Sequence, residues 1–179
     1  MAFEWEADYG DTFDPDKQGG QNYGNFVKPL PGTYLAEILE GIELRQNETS
    51  KKFSIKVPFK LLKAIPDERG NGDPAAEDAE VADFISPSYA FTMKRLGFLI
   101  SISKVRDNFT RKYAGIPAYG EPEFEPFVMD VKRHLPSTRV IVTLAMSKGT
   151  SKPMLNVQAY RKTGSAVNST PAPETPPGW

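Results

Sequence analysis

The segment KFSIKVPFKLLKAI, residues 52–65, opens with a strict alternation. Phe53, Ile55, Val57 and Phe59 share one parity, and Lys52, Ser54, Lys56 and Lys60 the other. Successive side chains of a strand point to opposite faces, so this pattern predicts a strand with one buried face and one wet, cationic face. No helix satisfies it, and the chain is therefore built around a sheet. Pro58 falls on the outward parity. A proline cannot donate to a ladder, so it predicts an edge position or a bulge at that point.

Other segments extend the pattern on both sides. In TYLAEILEGIEL (33–44), Tyr34, Ala36, Ile38, Ile42 and Leu44 share a parity, and Gly41 marks a bulge or bend in that first strand. RQNETSKK is turn-like, PDERGNGDPAAEDAE is an acidic loop punctuated by Gly and Pro, and VADFI is a short third strand. Ser86-Pro87 predicts a helix start, with Tyr89, Met93, Leu96 and Ile100 at helical spacing after it, although ISISKV within this run fits a strand equally well. Further helical pieces are expected over Asp107–Tyr113 and Pro122–His134. The two apolar runs of RVIVTLAMSKGTSKPMLNVQAYRKTG (139–164) supply a hairpin of fourth and fifth strands.

A length of 179 residues fits one domain with tails. The reading is an acidic, largely irregular arm over 1–31, a domain over 32–163 and a Pro-rich extended tail over 164–179. The arm carries Phe3, Trp5, Tyr9, Phe13, Tyr23 and Phe26, too many aromatics for a spacer, so part of it is expected to dock.

The formal net charge of -1 conceals segregation. Acids dominate residues 1–26 and 66–83. Cations dominate 44–63 (Arg45, Lys51, Lys52, Lys56, Lys60 and Lys63 against Glu48), and no acid occurs between Lys132 and Lys162. Blocks of this kind commonly form nothing more than solvated faces. Here two of them fall on turns between strands.

Catalysis and cofactors find little support. With no cysteine and a single histidine, His134 at a predicted helix C-terminus, the familiar triads and zinc sites are unavailable. There is no phosphate loop and no GxGxxG, and neither Asp11–Asp16 nor Asp67–Asp73 has calcium-loop spacing. The expectation is a non-enzyme without cofactor or metal. The N-terminal segment lacks an apolar signal region and no apolar run approaches 18 residues, so a cytoplasmic protein with no membrane partner is expected.

Strand, strand, strand, helical insert, strand, strand is the chain order of the OB-fold, a small Greek-key barrel. The expected class is thus mainly β with a helical insert (α+β), a five-stranded OB-fold-like barrel with helices between strands three and four. The Pro31-Gly32-Thr33-Tyr34 start of strand one, the helical insert and the ending KPMLNVQAYRK resemble phage-encoded single-stranded DNA-binding proteins of the OB-fold type, over roughly residues 31–163. The resemblance implies sequence-independent binding of single-stranded DNA during replication, recombination or repair, in the host cytoplasm. It also implies recruitment of replication or recombination proteins by a C-terminal tail. Trp179 provides the terminal aromatic of such a tail, but Glu174 is its only acid, so the acidic arm is the other candidate for that role.

Binding unpaired strands without sequence preference requires cations for the backbone and aromatic faces for the bases. Arg45, Lys51, Lys52, Lys56, Lys148, Lys152 and Arg161 are the candidate cations, and Tyr34, Phe53 and Tyr160 the candidate platforms. Tyr34 and Phe53 share parity with core residues, whereas Tyr160 lies with Asn156 and Gln158 and is the preferred platform. The turns at Arg45–Lys52 and Ser147–Lys152 are expected to flank one groove on the same side of the sheet. The arm would compete with DNA for that groove or pair with a neighbouring subunit in a homo-oligomer. The alternative is a non-enzymatic structural or interaction protein, such as a virion component or a host-factor inhibitor, on the same scaffold.

Overall fold

The computed structural model describes residues 3–5, 10, 12–13, 23–24, 31–146 and 155–164. Within them lie strands β1 (Thr12–Phe13), β2 (Tyr23–Gly24), β3 (Gly32–Ile38), β4 (Glu43–Gln46), β5 (Phe53–Ile65), β6 (Glu80–Ile85), β7 (Arg139–Met146) and β8 (Leu155–Arg161). Helices α1 (Ala90–Ile102), α2 (Arg106–Lys112) and α3 (Phe124–His134) separate β6 from β7. Among the described residues the protein is mainly β, with one antiparallel sheet of six longer strands, two short edge strands and three α-helices.

Strand order is β1-β8-β7-β3-β5-β6-β2, with β4 also paired to β5. The predicted first strand is two strands, β3 and β4, broken around Gly41 at φ +102°. Both halves pair with the long β5: Ile38 opposes Phe59, and Glu43 opposes Lys56. Pro58 sits between these two pairings, where its carbonyl accepts from the Leu39 amide at 2.9 Å. Its missing N–H therefore falls at the break, which lets a proline occupy a central strand; it marks neither an edge nor a bulge.

One parity of the sheet packs on the helices. Ala36, Ile38, Ile55, Val57, Phe59, Leu61, Val142, Leu144 and Val157 are buried with Met93, Leu96, Leu99, Phe127 and Val131. In α3, Phe124, Phe127, Val128 and Val131 recur at i, i+3, i+4 and i+7, the stripe that a helix presents to a core. Each such side chain contributes roughly 1.5–3 kcal/mol on burial. On the opposite face, Leu35, Ile65 and Ile141 form a small second cluster, with Leu62 packed against it.

Helix α1 begins at Ala90, four residues after the predicted Ser86 cap. Thr92 Oγ1 donates to the carbonyls of Ser86 and Tyr89, so the Ser86-Pro87 segment turns into the helix without belonging to it. The ambiguous ISISKV run is helical to Ile102. The sheet is not closed into a barrel. Among the described residues, β6 and β8 share no main-chain ladder and meet through side chains.

Candidate nucleic-acid interface

Outward parity on β4, β5 and β6 gathers much of the cationic charge. Across these strands Arg45 opposes Ser54, Glu43 opposes Lys56, and Lys56 in turn opposes Phe84. Lys60 opposes Glu80 on one side and Glu37 on the other. Arg45, Lys56 and Lys60 therefore share one face, with Lys51 and Lys52 exposed on the turn at its end. Lys51 adopts φ +58°, in a tight turn where Asn47 Oδ1 accepts from the amides of Thr49 and Ser50. Sequence position did not disclose the acids woven into this face. Glu43 lies 3.7 Å from Arg45, Asp78 lies 3.8 Å from Lys60, and Glu37 lies 3.2 Å from Arg139. Opposite charges facing each other across strands stabilise a sheet by a few tenths to about 1 kcal/mol per pair, so part of the cationic charge is matched locally.

The two basic turns do not share one side. Gly32 opposes Leu144, and Met146 opposes Leu155, so the β7–β8 connection leaves from the β3 N-terminal end of the sheet. Ile38 opposes Phe59, and the β4–β5 turn lies beyond it, past the β3 C-terminus. Antiparallel register sends the two connections to opposite ends of β3. This corrects the expectation of a groove walled by both turns: the described ends of β7 and β8 lie at the opposite end of β3 from the β4–β5 turn. Lys148 and Lys152 themselves lie outside the described residues, as does Trp179. Arg161 is also reassigned. Its guanidinium sits 2.5 Å from Asp67, whose side chain is almost wholly buried, and this pair ties the 66–72 loop to the sheet.

Neither candidate tyrosine, the preferred Tyr160 included, offers a face to solvent. Tyr160 is fully buried, its ring parallel to Phe98 at 6.3 Å and tilted against Phe59 at 5.7 Å. The register shift between Thr143 and Leu144 explains the misreading. It turns Tyr160 onto the core parity opposite Val142, while Asn156, opposite Ala145, stays on the other parity and is itself buried. Tyr34 is fully buried too. Its hydroxyl accepts from the Asp73 amide at 2.9 Å, and burial raises its pKa. Phe53 alone keeps part of its ring accessible, stacked on Tyr119 at 4.8 Å between centroids. Phe84, half-buried beside Lys56 on the outer face, is an aromatic that sequence reading overlooked.

No protein-family model, curated protein or solved structure matches this chain.

Two polar clusters emerged only in three dimensions. Asp83 on β6, Arg95 on α1 and Tyr160 on β8 meet in the interior. Arg95 Nη2 lies 2.6 Å from Asp83 Oδ2 and donates to the Val157 carbonyl at 2.9 Å, and Tyr160 O–H donates to the same carboxylate oxygen. Burial pushes the Asp83 carboxyl upward against the pull of Arg95 and Tyr160. In the second cluster, Asp130 accepts from Lys112 Nζ at 2.6 Å and from Tyr113 O–H at 2.5 Å. Burial works to raise the Asp130 pKa, but these two donors outweigh it and hold the group below its ordinary range. Trp5 Nε1 donates to the Tyr113 carbonyl at 3.0 Å, and Phe3 pairs with Ile116, so the start of the arm docks as its aromatic content predicted. Both clusters tie elements together, and neither opens onto the cationic face.

Proposed function

We propose that this chain binds single-stranded DNA without sequence preference on the outer face of β4, β5 and β6, and that its sheet is an open barrel of the OB type. Four features support the architecture: a first strand kinked at Gly41, the β8-β7-β3-β5-β6 path, the placement of all three described α-helices between β6 and β7, and a β6–β8 seam bridged by side chains. In that architecture the face of strands two and three, here β5 and β6, binds oligonucleotides. The observation that carries the reading is the sharing of this face by Arg45, Lys56 and Lys60, continued by exposed Lys51 and Lys52 and bordered by Phe84 and Phe53. The role is protection or organisation of single strands during replication, recombination or repair, with partner proteins engaged by the arm or the tail.

Titration with single-stranded DNA, duplex and RNA at two salt concentrations tests it. Preferential, salt-sensitive binding of the single strand is the expected result, and equal or absent retention of all three overturns it.

A second reading draws on the interleaved acids. Glu37, Glu43 and Glu80 opposite lysines or arginines give the face a mixed-sign pattern that suits a protein partner of alternating charge. A protein of that kind flows through single-stranded DNA cellulose at low salt.

A further inference from the structure

We infer that Tyr119, in the connection between α2 and α3, is a base-stacking platform on the helix side of the β4–β5 end of the sheet, around the edge from the proposed cationic face, with Phe53 as its support. The inference rests on the single-strand reading above and adds a residue from the helical insert to it. Tyr119 is 44% exposed, yet its ring is held on two sides. It stacks on Phe53 at 4.8 Å with 27° between planes, and it meets buried Phe124 nearly edge-on at 5.4 Å.

The backbone fixes the ring as firmly as its neighbours do. The Glu121 amide donates to the Ala118 carbonyl at 3.1 Å, closing a turn in which Tyr119 is the first central residue and Gly120, at φ +93°, the second. Only glycine adopts that second conformation readily. The Glu121 carboxylate accepts from the Ala118 amide at 3.0 Å and so braces the turn. An aromatic ring preorganised in this way loses little side-chain freedom when a second flat ring settles on it.

Phe53 also sets the electrostatic surroundings. It follows Lys51 and Lys52 directly, so the turn that carries two exposed cations ends on the ring that supports Tyr119. Cations for the backbone beside an accessible aromatic for the base are the two elements that unpaired strands require, and the stack accepts any nucleobase. A duplex, with its bases already stacked, cannot use the platform.

The test measures the affinity of Tyr119→Ala, Tyr119→Phe, Tyr119→Trp and the pair Lys51→Glu/Lys52→Glu for a labelled thymidine oligomer and for a duplex of equal length. Tyr119→Ala should weaken single-strand binding ~5-fold or more with the melting transition retained, as expected for the loss of one base stack. Tyr119→Phe should bind within about twofold of the parent, since the face and not the hydroxyl is used. Tyr119→Trp should bind similarly, and the oligomer should quench its added fluorescence. If Lys51→Glu/Lys52→Glu weakens binding while Tyr119→Ala leaves it unchanged, the platform is overturned and the single-strand reading stands. If the parent itself shows no affinity for the oligomer, both fall.

Discussion

Tyr160 on β8 donates its hydroxyl hydrogen to Asp83 on β6, joining two strands that no main-chain ladder joins among the described residues. Arg95 completes the link from α1, with its side chain 1% exposed and that of Asp83 fully buried. The seam of this curled sheet is thus held by one charged, hydrogen-bonded triad. A buried pair of this kind contributes little net stability relative to apolar packing, but breaking it is costly because the remaining charge is left in the interior.

Asp83→Ala should therefore destabilise the fold by about 3–5 kcal/mol, read as a shift in the denaturant midpoint. Tyr160→Phe keeps the ring in its place against Phe98 and Phe59 and removes one hydrogen bond, so it should cost about 1–2 kcal/mol. Equal effects from the two variants would deny the charge its part in the seam.

The arm covers both edges of that seam. Thr12–Phe13 pairs with β8 and Tyr23–Gly24 with β6. Deleting residues 1–26 bares two strand edges, and the truncated protein should melt at lower temperature and self-associate as concentration rises, by light scattering coupled to size exclusion. Because this segment carries Glu4, Glu6, Asp8, Asp11, Asp14 and Asp16, apparent affinity for single strands should also rise at low salt. A monomer of unchanged stability would show that the edge pairing is dispensable.

Gly32 on β3 and Gly72 in the loop let the 66–72 segment lie directly against the sheet: a Cβ at Gly32 would fall 2.3 Å from the Asn71 carbonyl oxygen. A Cβ at Gly72 would lie 2.2 Å from the Thr33 carbonyl oxygen and 2.9 Å from the Ala64 Cα, both main-chain atoms. Gly72→Ala must push the loop away from Thr33 and Ala64 and strain the Asp67–Arg161 pair that ties the same loop to the sheet. A loss of about 1–3 kcal/mol is expected from thermal unfolding.

Asp130 gives the protein an acid-sensitive joint. Its folded-state pKa lies below the ordinary value of 3.8, so its contribution is complete above that value and is lost as pH falls through the lowered one. Stability should decline more steeply below about pH 4 in the parent than in Asp130→Asn, which carries no titrating group there. Parallel acid-unfolding curves followed by tryptophan fluorescence would remove Asp130 from that role. Trp5, bonded to the Tyr113 carbonyl, reports on this region directly.

Alternation located β5, which buries one parity and leaves the other wetter, while β3, β7 and β8 are buried on both faces and were legible as apolar runs bounded by turns. The helices were legible for a similar reason: Phe124, Phe127, Val128 and Val131 mark one stripe. Register was not legible. Whether the β7–β8 connection meets the β4–β5 turn depends on which ends of β3 its neighbours oppose, and local sequence does not encode that. A single register shift hid the burial of Tyr160, since one extra residue inverts every side chain after it. Charge blocks misled for a related reason. Glu37, Glu43 and Glu80 face cations that are remote in the chain or across a turn, so segregation along the sequence became partial neutralisation across the sheet. The Asp83–Arg95–Tyr160 triad had no sequence signal, because its members come from a strand, a helix and a second strand.

The central claim is most directly tested by the salt dependence of single-stranded DNA affinity. Engagement of about five phosphates by Arg45, Lys51, Lys52, Lys56 and Lys60 predicts that log affinity falls against log salt with a slope near −3.5, and that Lys51→Glu/Lys52→Glu makes the slope shallower. A parent protein with no measurable affinity at low salt, or a slope near zero, contradicts the account.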